Sequence, residues 1–492
     1  MTSSLLSAAP AGRRQLDHAI PPLLRPLMRA YVLGYASAVA PRLLTLVLQA
    51  VTRRAANNKD AADVTRPHDS SLLSSLQRIL RGGLELQRFP TFCAALVGGT
   101  TLLEVLLGKA LNSLARGRQL SAVTQKRLLR WLSAFISSWL SLRLLQSKES
   151  DAFSETITVN SGSPPEARRE TIRYAGRTLD LTLFASTRAL DVIVGELWAR
   201  RKQRQVAAGR WTQVESLISK LADPSIFAAS CALIMWAWFY TPSRLPKAYT
   251  KWISSAAAVD ARLIEALRRC RTGELRYGQE TGQGPLLQSM CADYEWPPEW
   301  GDPVKTIPFP CEIVHLGCGP SCEYHALSRF CRSFRWAMAT YLPLNLAARK
   351  KDLRGLRIAL SSAARSSSFL AAFIALFYYS VCLARTRIGP HLLGRDVQTR
   401  QAIDGGICVG CGCFMCGWSI VIEKAARRKD MALFVAPRAL ATLLPRRYPL
   451  DKQWRETLAF AFSTAVVFTC VRENRQRVRG VLGRILGSVL EA

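Results

Sequence analysis

The sequence predicts an all-α, multi-pass membrane helix bundle with two related halves. Three observations predict it. Half of the chain is apolar (49%), and the apolar residues gather in six runs. The bases cluster between those runs, in a chain whose 67 Lys and Arg against 35 Asp and Glu give a net charge of +32. Finally, one motif occurs twice, as Asp180-Leu-Thr-Leu-Phe-Ala-Ser-Thr-Arg-Ala-Leu190 and as Asp430-Met-Ala-Leu-Phe-Val-Ala-Pro-Arg-Ala-Leu440. Similarity between two points of one apolar chain is the habit of duplicated membrane bundles.

Residues 1–85 read as an N-terminal arm with an amphipathic helix and a linker, the linker being the polar stretch 53–72. No long apolar core precedes a cleavage site, as a secretory signal would need. Ser3, Ser4, Ser7, Arg13, Arg14, Arg25 and Arg29 against the lone Asp17 allow a weak organelle-targeting character, but a disordered or interfacial start is the favoured reading. The first membrane repeat, 86–240, holds the runs Phe92–Leu107, Trp131–Leu145 and Ser225–Tyr240. The second, 350–471, holds Phe369–Leu383, Gly405–Ile422 and Leu458–Val471. Most fall short of the roughly 20 apolar residues of a full span. Snorkelling ends such as Arg130 and Arg385 extend them. Residues 472–492 read as a basic tail.

Each copy of the motif reads as a packed or interfacial helix, Asp180–Trp198 and Asp430–Leu444, too interrupted to span alone. Asp180 and Asp430 suit the N-cap, where a carboxylate accepts free amide hydrogens of the first turn. Pro437 kinks the second copy, whereas Thr187 leaves the first straight. Small residues four apart, such as Ala94/Gly98, Ala95/Gly99, Ala371/Ala375 and Gly406/Gly410, mark faces where helices approach closely in lipid.

Residues 241–349 form a polar connector. Tyr249, Trp252, Ile253, Ala256, Leu263, Ile264 and Leu267 recur at helical spacing and predict one amphipathic helix. A structureless stretch with Gly282, Gly284, Pro297, Pro298 and Pro303 is expected to follow, and residues 147–179 read as another polar loop.

The connector carries the best candidate site. Cys311, His315, Cys318, Cys322 and His325 offer five soft or borderline ligands within fifteen residues, separated by Gly and Pro turns, and such a set could close around zinc. A disulfide-pinned loop, or thiols that merely pack, are the alternatives. The pairs Cys408/Cys411 and Cys413/Cys416 read differently. On a helix Cys411 and Cys413 point about 160° apart, so four thiols cannot meet at one ion, and the cysteines are expected to pack.

Arg188, Arg438, Asp180 and Asp430 are candidates for a polar crevice, since the repeat keeps both arginines while changing their neighbours. Glu104 and Glu423 are further ionisable groups beside apolar helices, and Glu423, next to Lys424, leans towards a structural pair. No phosphate loop, dinucleotide fingerprint, HExxH or nucleophile elbow is present, so a non-enzymatic role is expected. The basic loops suit anionic lipid headgroups, making membrane lipids the expected partner. No basic–aromatic module or zinc-finger spacing accompanies the charge, and nucleic acid is not an expected partner.

Pro310-Cys-Glu-Ile-Val-His315, Ser321-Cys322, His325-Ala-Leu and Arg329-Phe330 resemble the Cys-rich segment of the transmembrane protein 135 family. So do Tyr341-Leu-Pro-Leu-Asn-Leu346, Arg365-Ser-Ser-Ser-Phe-Leu370, Tyr378-Tyr379 and the closing stretch from Glu423 to Leu440. The likeness covers about residues 305–471, and Cys318 looks like an addition to the pattern. It implies an integral protein of peroxisomal or mitochondrial membranes, in a family linked to lipid handling and organelle dynamics and distantly similar to mitochondrial import translocase subunits. It implies no catalytic residue. The expected function is therefore lipid or metabolite transport or homeostasis. The alternative is a membrane scaffold that recruits a protein partner through the Cys/His connector.

Overall fold

A computed structural model describes residues 20–57, 72–114, 121–159, 168–347 and 352–490. Helices dominate. In chain order they are α1 (Arg25–Asn57), α2 (Leu72–Gly83), α3 (Phe89–Leu114), α4 (Ala122–Gln146), α5 (Leu179–Ala207), α6 (Gln213–Tyr240), α7 (Lys247–Ala257), α8 (Ala261–Thr272), α9 (Gly284–Asp293), α10 (Cys311–His315), α11 (Cys322–Ala347) and α12 (Leu353–Thr386). There follow α13 (Cys408–Cys416), α14 (Ala425–Leu443), α15 (Gln453–Glu473) and α16 (Gly480–Leu490), with short helices between α12 and α13. Three strands complete the described structure: β1 (Ser154–Val159), β2 (Arg168–Ala175) and β3 (Tyr448–Pro449), antiparallel in the order β1-β2-β3. The polar loop expected at 147–179 therefore holds a hairpin. Thr156, Ile157, Thr158, Thr171 and Ile172 supply β-branched residues that suit a strand pair.

Among the described residues six stretches are long and apolar enough to cross a membrane: Pro22–Val47, Phe89–Ala110, Ala122–Gln146, Gln213–Tyr240, Leu353–Leu392 and Val397–Ile422. This is the make-up of an integral membrane protein. Five contain runs expected from the sequence. Pro22–Val47 lies instead in the presumed arm, where Arg25, Arg29, Pro26 and Pro41 interrupt the apolar pattern without breaking α1. The run Leu458–Val471 forms α15 but is not one of the six, because Glu456 and Arg472 bracket too short an apolar length. The amphipathic helix of the arm is α2. Most of the expected linker, residues 58–71, lies outside the described residues.

The chain folds as two compact units. One takes the N-terminal residues to Arg204 together with Arg446 to the C-terminus; the other is Gln205–Pro445. In the first, α3 packs on α1 and α4, and α15 packs on α4. Phe92, Leu142, Phe460 and Phe468 form its core, joined by Val489 of α16. The segment read as a basic tail thus supplies a packed apolar helix.

Close approach of α3 and α4 depends on Gly99: a β-carbon there would stand 2.3 Å from the Ser137 hydroxyl. Ser137 is buried and directs its Oγ to the carbonyls of Ala95 and Leu96, at 2.9 and 2.8 Å. The small-residue face read from Ala95/Gly99 is therefore a helix contact, with a serine hydroxyl bonded across it.

In the Gln205–Pro445 unit, α11 and α12 form one tight pair, and α6 packs on α13 and α14. The connector is folded into this core: Leu263, Leu267, Met290, Ile313 and Val314 are buried with Trp238, Phe377 and Ile420. Two expectations change here. The single amphipathic helix is two helices, α7 and α8, separated at Ala258, whose φ of 48° ends the first in a left-handed cap. The stretch expected to lack structure contains α9, which begins at Gly284-Pro285, a favourable helix start.

The run Gly405–Ile422 is also irregular. A wide turn at Ile403–Ile407 precedes α13, and a tighter turn at Gly417–Ile422 follows it. Gly406 has φ 154°, and a β-carbon there would meet the Arg271 guanidinium at 2.7 Å.

Candidate metal centre

The connector and an apolar helix meet at a four-residue cluster. Cys311 and His315 sit at opposite ends of the single-turn helix α10. Leu316, Gly317 and Gly319, all at positive φ, then reverse the chain so that Cys322 opens α11. The antiparallel neighbour α12 contributes Cys382. The four potential ligand atoms of Cys311, His315, Cys322 and Cys382 lie within 4.8 Å of one another. Cys311 Sγ is 3.8 Å from Cys322 Sγ and 3.6 Å from Cys382 Sγ, and Cys382 Sγ is 3.5 Å from His315 Nε2. His315 and Cys382 are wholly enclosed, and Cys322 nearly so.

His315 is oriented for this role. Its Nδ1 lies 2.7 Å from the Gly319 carbonyl, so the N–H belongs on Nδ1 and the Nε2 lone pair faces the thiols. This outer hydrogen bond is the kind that fixes the tautomer of metal-bound histidines. The hydrogen bond between the Cys311 and Cys382 thiols draws Cys311 well below its ordinary pKa, whereas burial raises that of Cys322. Burial alone would depress His315, but Cys311 and the Gly319 carbonyl outweigh it and leave its pKa raised. Three thiols and an imidazole converging at these distances can hold a metal ion.

Of the five ligands read from the sequence, Cys311, His315 and Cys322 are in the cluster. Cys318 is not: its Sγ lies 3.8 Å from the Ser328 hydroxyl, because the turn after His315 carries it away from the other thiols. His325 is not a cluster member either. Its ring stacks on His315 and stands edge-to-face with Tyr378, at centroid separations of 4.6 and 5.2 Å, and neither ring nitrogen has a hydrogen-bond partner. Burial and the neighbouring His315 push its pKa down to about 3, so the ring is neutral. The fourth ligand, Cys382, was read only as part of an apolar run. Nothing local marks it, since cysteine is also an ordinary buried residue of apolar helices.

The second cysteine group behaves as helix geometry requires. Cys408, Cys413 and Cys416 are buried, Cys411 is exposed, and all four are free thiols.

The polar-crevice candidates divide between the units. Arg188 and Asp180 lie on α5. Arg188 is buried, bonds the Arg479 carbonyl at 3.4 Å and lies over the Phe184 ring. Arg438 and Asp430 lie on α14. Neither Asp is an N-cap: Asp180 is the second residue of α5 and pairs with Arg446 at 3.8 Å, whereas α14 begins five residues before Asp430, at Ala425. The basic run Arg427-Arg428-Lys429 already belongs to the helix. α14 also continues through Pro437.

Arg130 and Arg385, expected to snorkel, are paired instead. Arg130 bonds Glu104 at 3.3 Å, and Arg472 bonds the same carboxylate. Arg385 forms a buried pair with Asp404, which the sequence reading passed over at the edge of the Gly405–Ile422 run. Tyr277 of the connector donates to that carboxylate at 2.6 Å, and the Phe309 carbonyl accepts from Arg385 at 3.0 Å. Glu423 is buried and accepts from Ser366 at 2.6 Å, with Arg427 rather than Lys424 as its cation at 3.5 Å.

Comparison with protein-family models, with characterised proteins and with solved structures finds no match to this chain.

Proposed function

We propose that this integral membrane protein holds and moves an acidic lipid or an apolar metabolite in a peroxisomal or mitochondrial membrane, without chemistry on its cargo. The observation that carries this reading is a cavity of about 410 Å³ in the unit built from α1–α5 with α15 and α16. Its wall includes Leu96, Phe184, Phe460 and Phe468, and among the described residues Arg188 is the only charged one that lines it. A buried guanidinium on an otherwise apolar chamber favours an amphiphile: the tail leaves water, and a carboxylate or phosphate pairs with the cation. The likeness of residues 305–471 to the transmembrane protein 135 family supports the choice of organelle and the role in lipid homeostasis and organelle dynamics.

The same reading assigns zinc to the Cys/His centre. Sulfur at about 2.3 Å and nitrogen at about 2.0 Å around a tetrahedral ion place sulfurs about 3.8 Å apart and sulfur and nitrogen about 3.5 Å apart. The three measured separations, 3.8, 3.6 and 3.5 Å, support that ion. An all-protein set of four ligands is the pattern of structural zinc, which here would fasten the connector to α12.

Duplication is part of the proposal. The helices α3, α4 and α5 of the first half correspond to α12, α13 and α14 of the second. In each half the next helix folds into the other unit: α6 belongs with α13 and α14, and α15 belongs with α4. A reciprocal exchange of this kind is what two copies of one design produce.

The experiment is purification of the full chain in detergent with mass spectrometry of retained lipids and measurement of zinc. Enrichment of an acidic amphiphile that Arg188→Ala abolishes and Arg188→Lys partly keeps supports the lipid reading. Lipid identical to the bulk membrane, or unaffected by Arg188→Ala, overturns it. One zinc per chain supports the metal, and zinc-free protein from zinc-replete cells overturns it.

A further inference from the structure

The metal centre adjoins a second apolar chamber, and the residues between them are shared. In the Gln205–Pro445 unit a cavity of about 250 Å³ is lined by Trp238, Trp252, Ile253, Phe373, Tyr378 and Val435, among others, and none of the described residues in its wall is charged. Such a wall offers no counter-ion to an ionic group, which would lose its hydration without a partner. It suits a neutral aliphatic chain or chain end.

Tyr378 belongs to both places. It stands one helical turn before Cys382, on the same face of α12. Its ring stands edge-to-face with His325, and His325 stacks on the ligand His315. With both ring nitrogens buried and without a hydrogen-bond partner, His325 is held by packing between His315 and Tyr378.

On the chamber side, Tyr378 Oη donates to the Ala257 carbonyl at 2.9 Å. Arg329 of α11 lies 4.5 Å over the Tyr378 ring and donates to the carbonyls of Ala257 and Ala258, at 3.3 and 3.4 Å. Ala257 is the last residue of α7, the helix that brings Trp252 and Ile253 to the wall. A continuous packed path therefore runs from a metal ligand to one side of the chamber.

We propose that metal occupancy and chamber occupancy are coupled: an ion held by Cys311, His315, Cys322 and Cys382 locks α10, α11 and α12 together and, through the His315–His325–Tyr378 stack, sets the chamber in the shape that accepts a neutral aliphatic chain. The proposal rests on the zinc reading above. Linkage makes the effect reciprocal, so a filled chamber tightens metal binding by the same factor, on the order of tenfold for couplings of ordinary size.

The test uses the full chain in detergent, zinc-loaded and chelator-stripped, with a ten-carbon alkyl diazirine as the probe and mass-spectrometric mapping of the crosslinks. The expected result is labelling of α7 and α12 around Trp252 and Phe373 that falls about tenfold on zinc removal and returns with zinc. A probe of this kind also raises zinc affinity by a similar factor. Tyr378→Phe, which keeps the ring and loses only the bond to Ala257, is expected to retain one zinc per chain while its labelling depends less on zinc.

One zinc per chain with labelling indifferent to zinc overturns the coupling and leaves the zinc reading intact. Protein that binds no zinc overturns both. The wild-type comparison decides the matter alone if the variant does not fold.

Discussion

Arg385 and Asp404 meet in two hydrogen bonds, Nε to Oδ1 at 2.5 Å and Nη2 to Oδ2 at 2.9 Å, with their side chains 3% and 1% exposed. A charge pair taken this far from water is held less by its own attraction than by the cost of separating it. Removing one partner is therefore expected to be far worse than removing both. Asp404→Ala or Arg385→Ala alone should cost about 3–5 kcal/mol, whereas Arg385→Met with Asp404→Leu should recover much of that loss. Thermal unfolding monitored by fluorescence-detected size exclusion would check this; equal damage from single and double variants would refute it.

Cys382 should be indispensable to the metal centre and Cys318 dispensable. Cys382→Ser is expected to bring zinc content to near zero, while Cys318→Ser leaves one zinc per chain. Cys382→His, which restores a ligand, should recover part of the binding. Metal analysis of the three proteins tests the assignment of ligands. Chelation of the wild-type protein should lower its melting temperature, since an ion bound only by the folded chain stabilises it by mass action.

The α3–α4 contact should be intolerant of bulk. Gly99→Leu forces a side chain onto Ser137, and overpacking of this kind costs about 1–3 kcal/mol. Ser137→Ala should relieve part of it, because it removes the hydroxyl at 2.3 Å from the new β-carbon position but keeps the Ser137 Cβ at 3.2 Å. Denaturation midpoints of the single and double variants would show whether the two positions are coupled.

One surface cluster sets an acid dependence. Glu85 accepts from Arg88 at 3.0 Å and also from Lys148, and these bonds hold its pKa at about 2, below the ordinary 4.5. A carboxyl depressed on folding stabilises the folded state above its unfolded pKa, and the contribution is lost as pH falls through the folded value. The difference in melting temperature between the wild type and Glu85→Gln should therefore be constant near pH 7, shrink below about pH 4.5 and vanish near pH 2. A difference that grows on acidification would contradict this account.

The sequence made some of this legible and hid the rest for identifiable reasons. Apolar runs located α3, α4, α6, α12 and the region of α13, because burial in lipid or in the core asks for the same residues. The cluster of Cys and His between Cys311 and His325 supplied three ligands of four. Spacing reveals ligands that are neighbours in the chain, and Cys382 reaches the site only through the pairing of α11 with α12. The same limitation hid the pair of Arg385 with Asp404 and turned Arg385 into an apparent snorkelling end. Carboxylates at the starts of the repeated motifs suggested caps, but helix entry is set further upstream, at Lys424 for α14. The hairpin β1-β2 was hidden by its polar residues, Glu155, Thr156, Thr158, Glu170 and Thr171 among them.

The return of Arg446 to the C-terminus into the first unit has a bearing on biosynthesis. Thr178, at the start of α5, bonds Glu456, and Ser186 lies 3.1 Å from the Ser463 hydroxyl, so both await residues translated long afterwards. Chains leave the ribosome from the N-terminus at about 5–20 residues per second, and domains tend to fold as they emerge. Here α1 to α5 emerge with a vacant slot, and the whole Gln205–Pro445 unit is made before α15 arrives to fill it. A chain stopped at Pro445 would have every residue of the later unit and would still leave the earlier one unfinished, an exposed target for quality-control proteases.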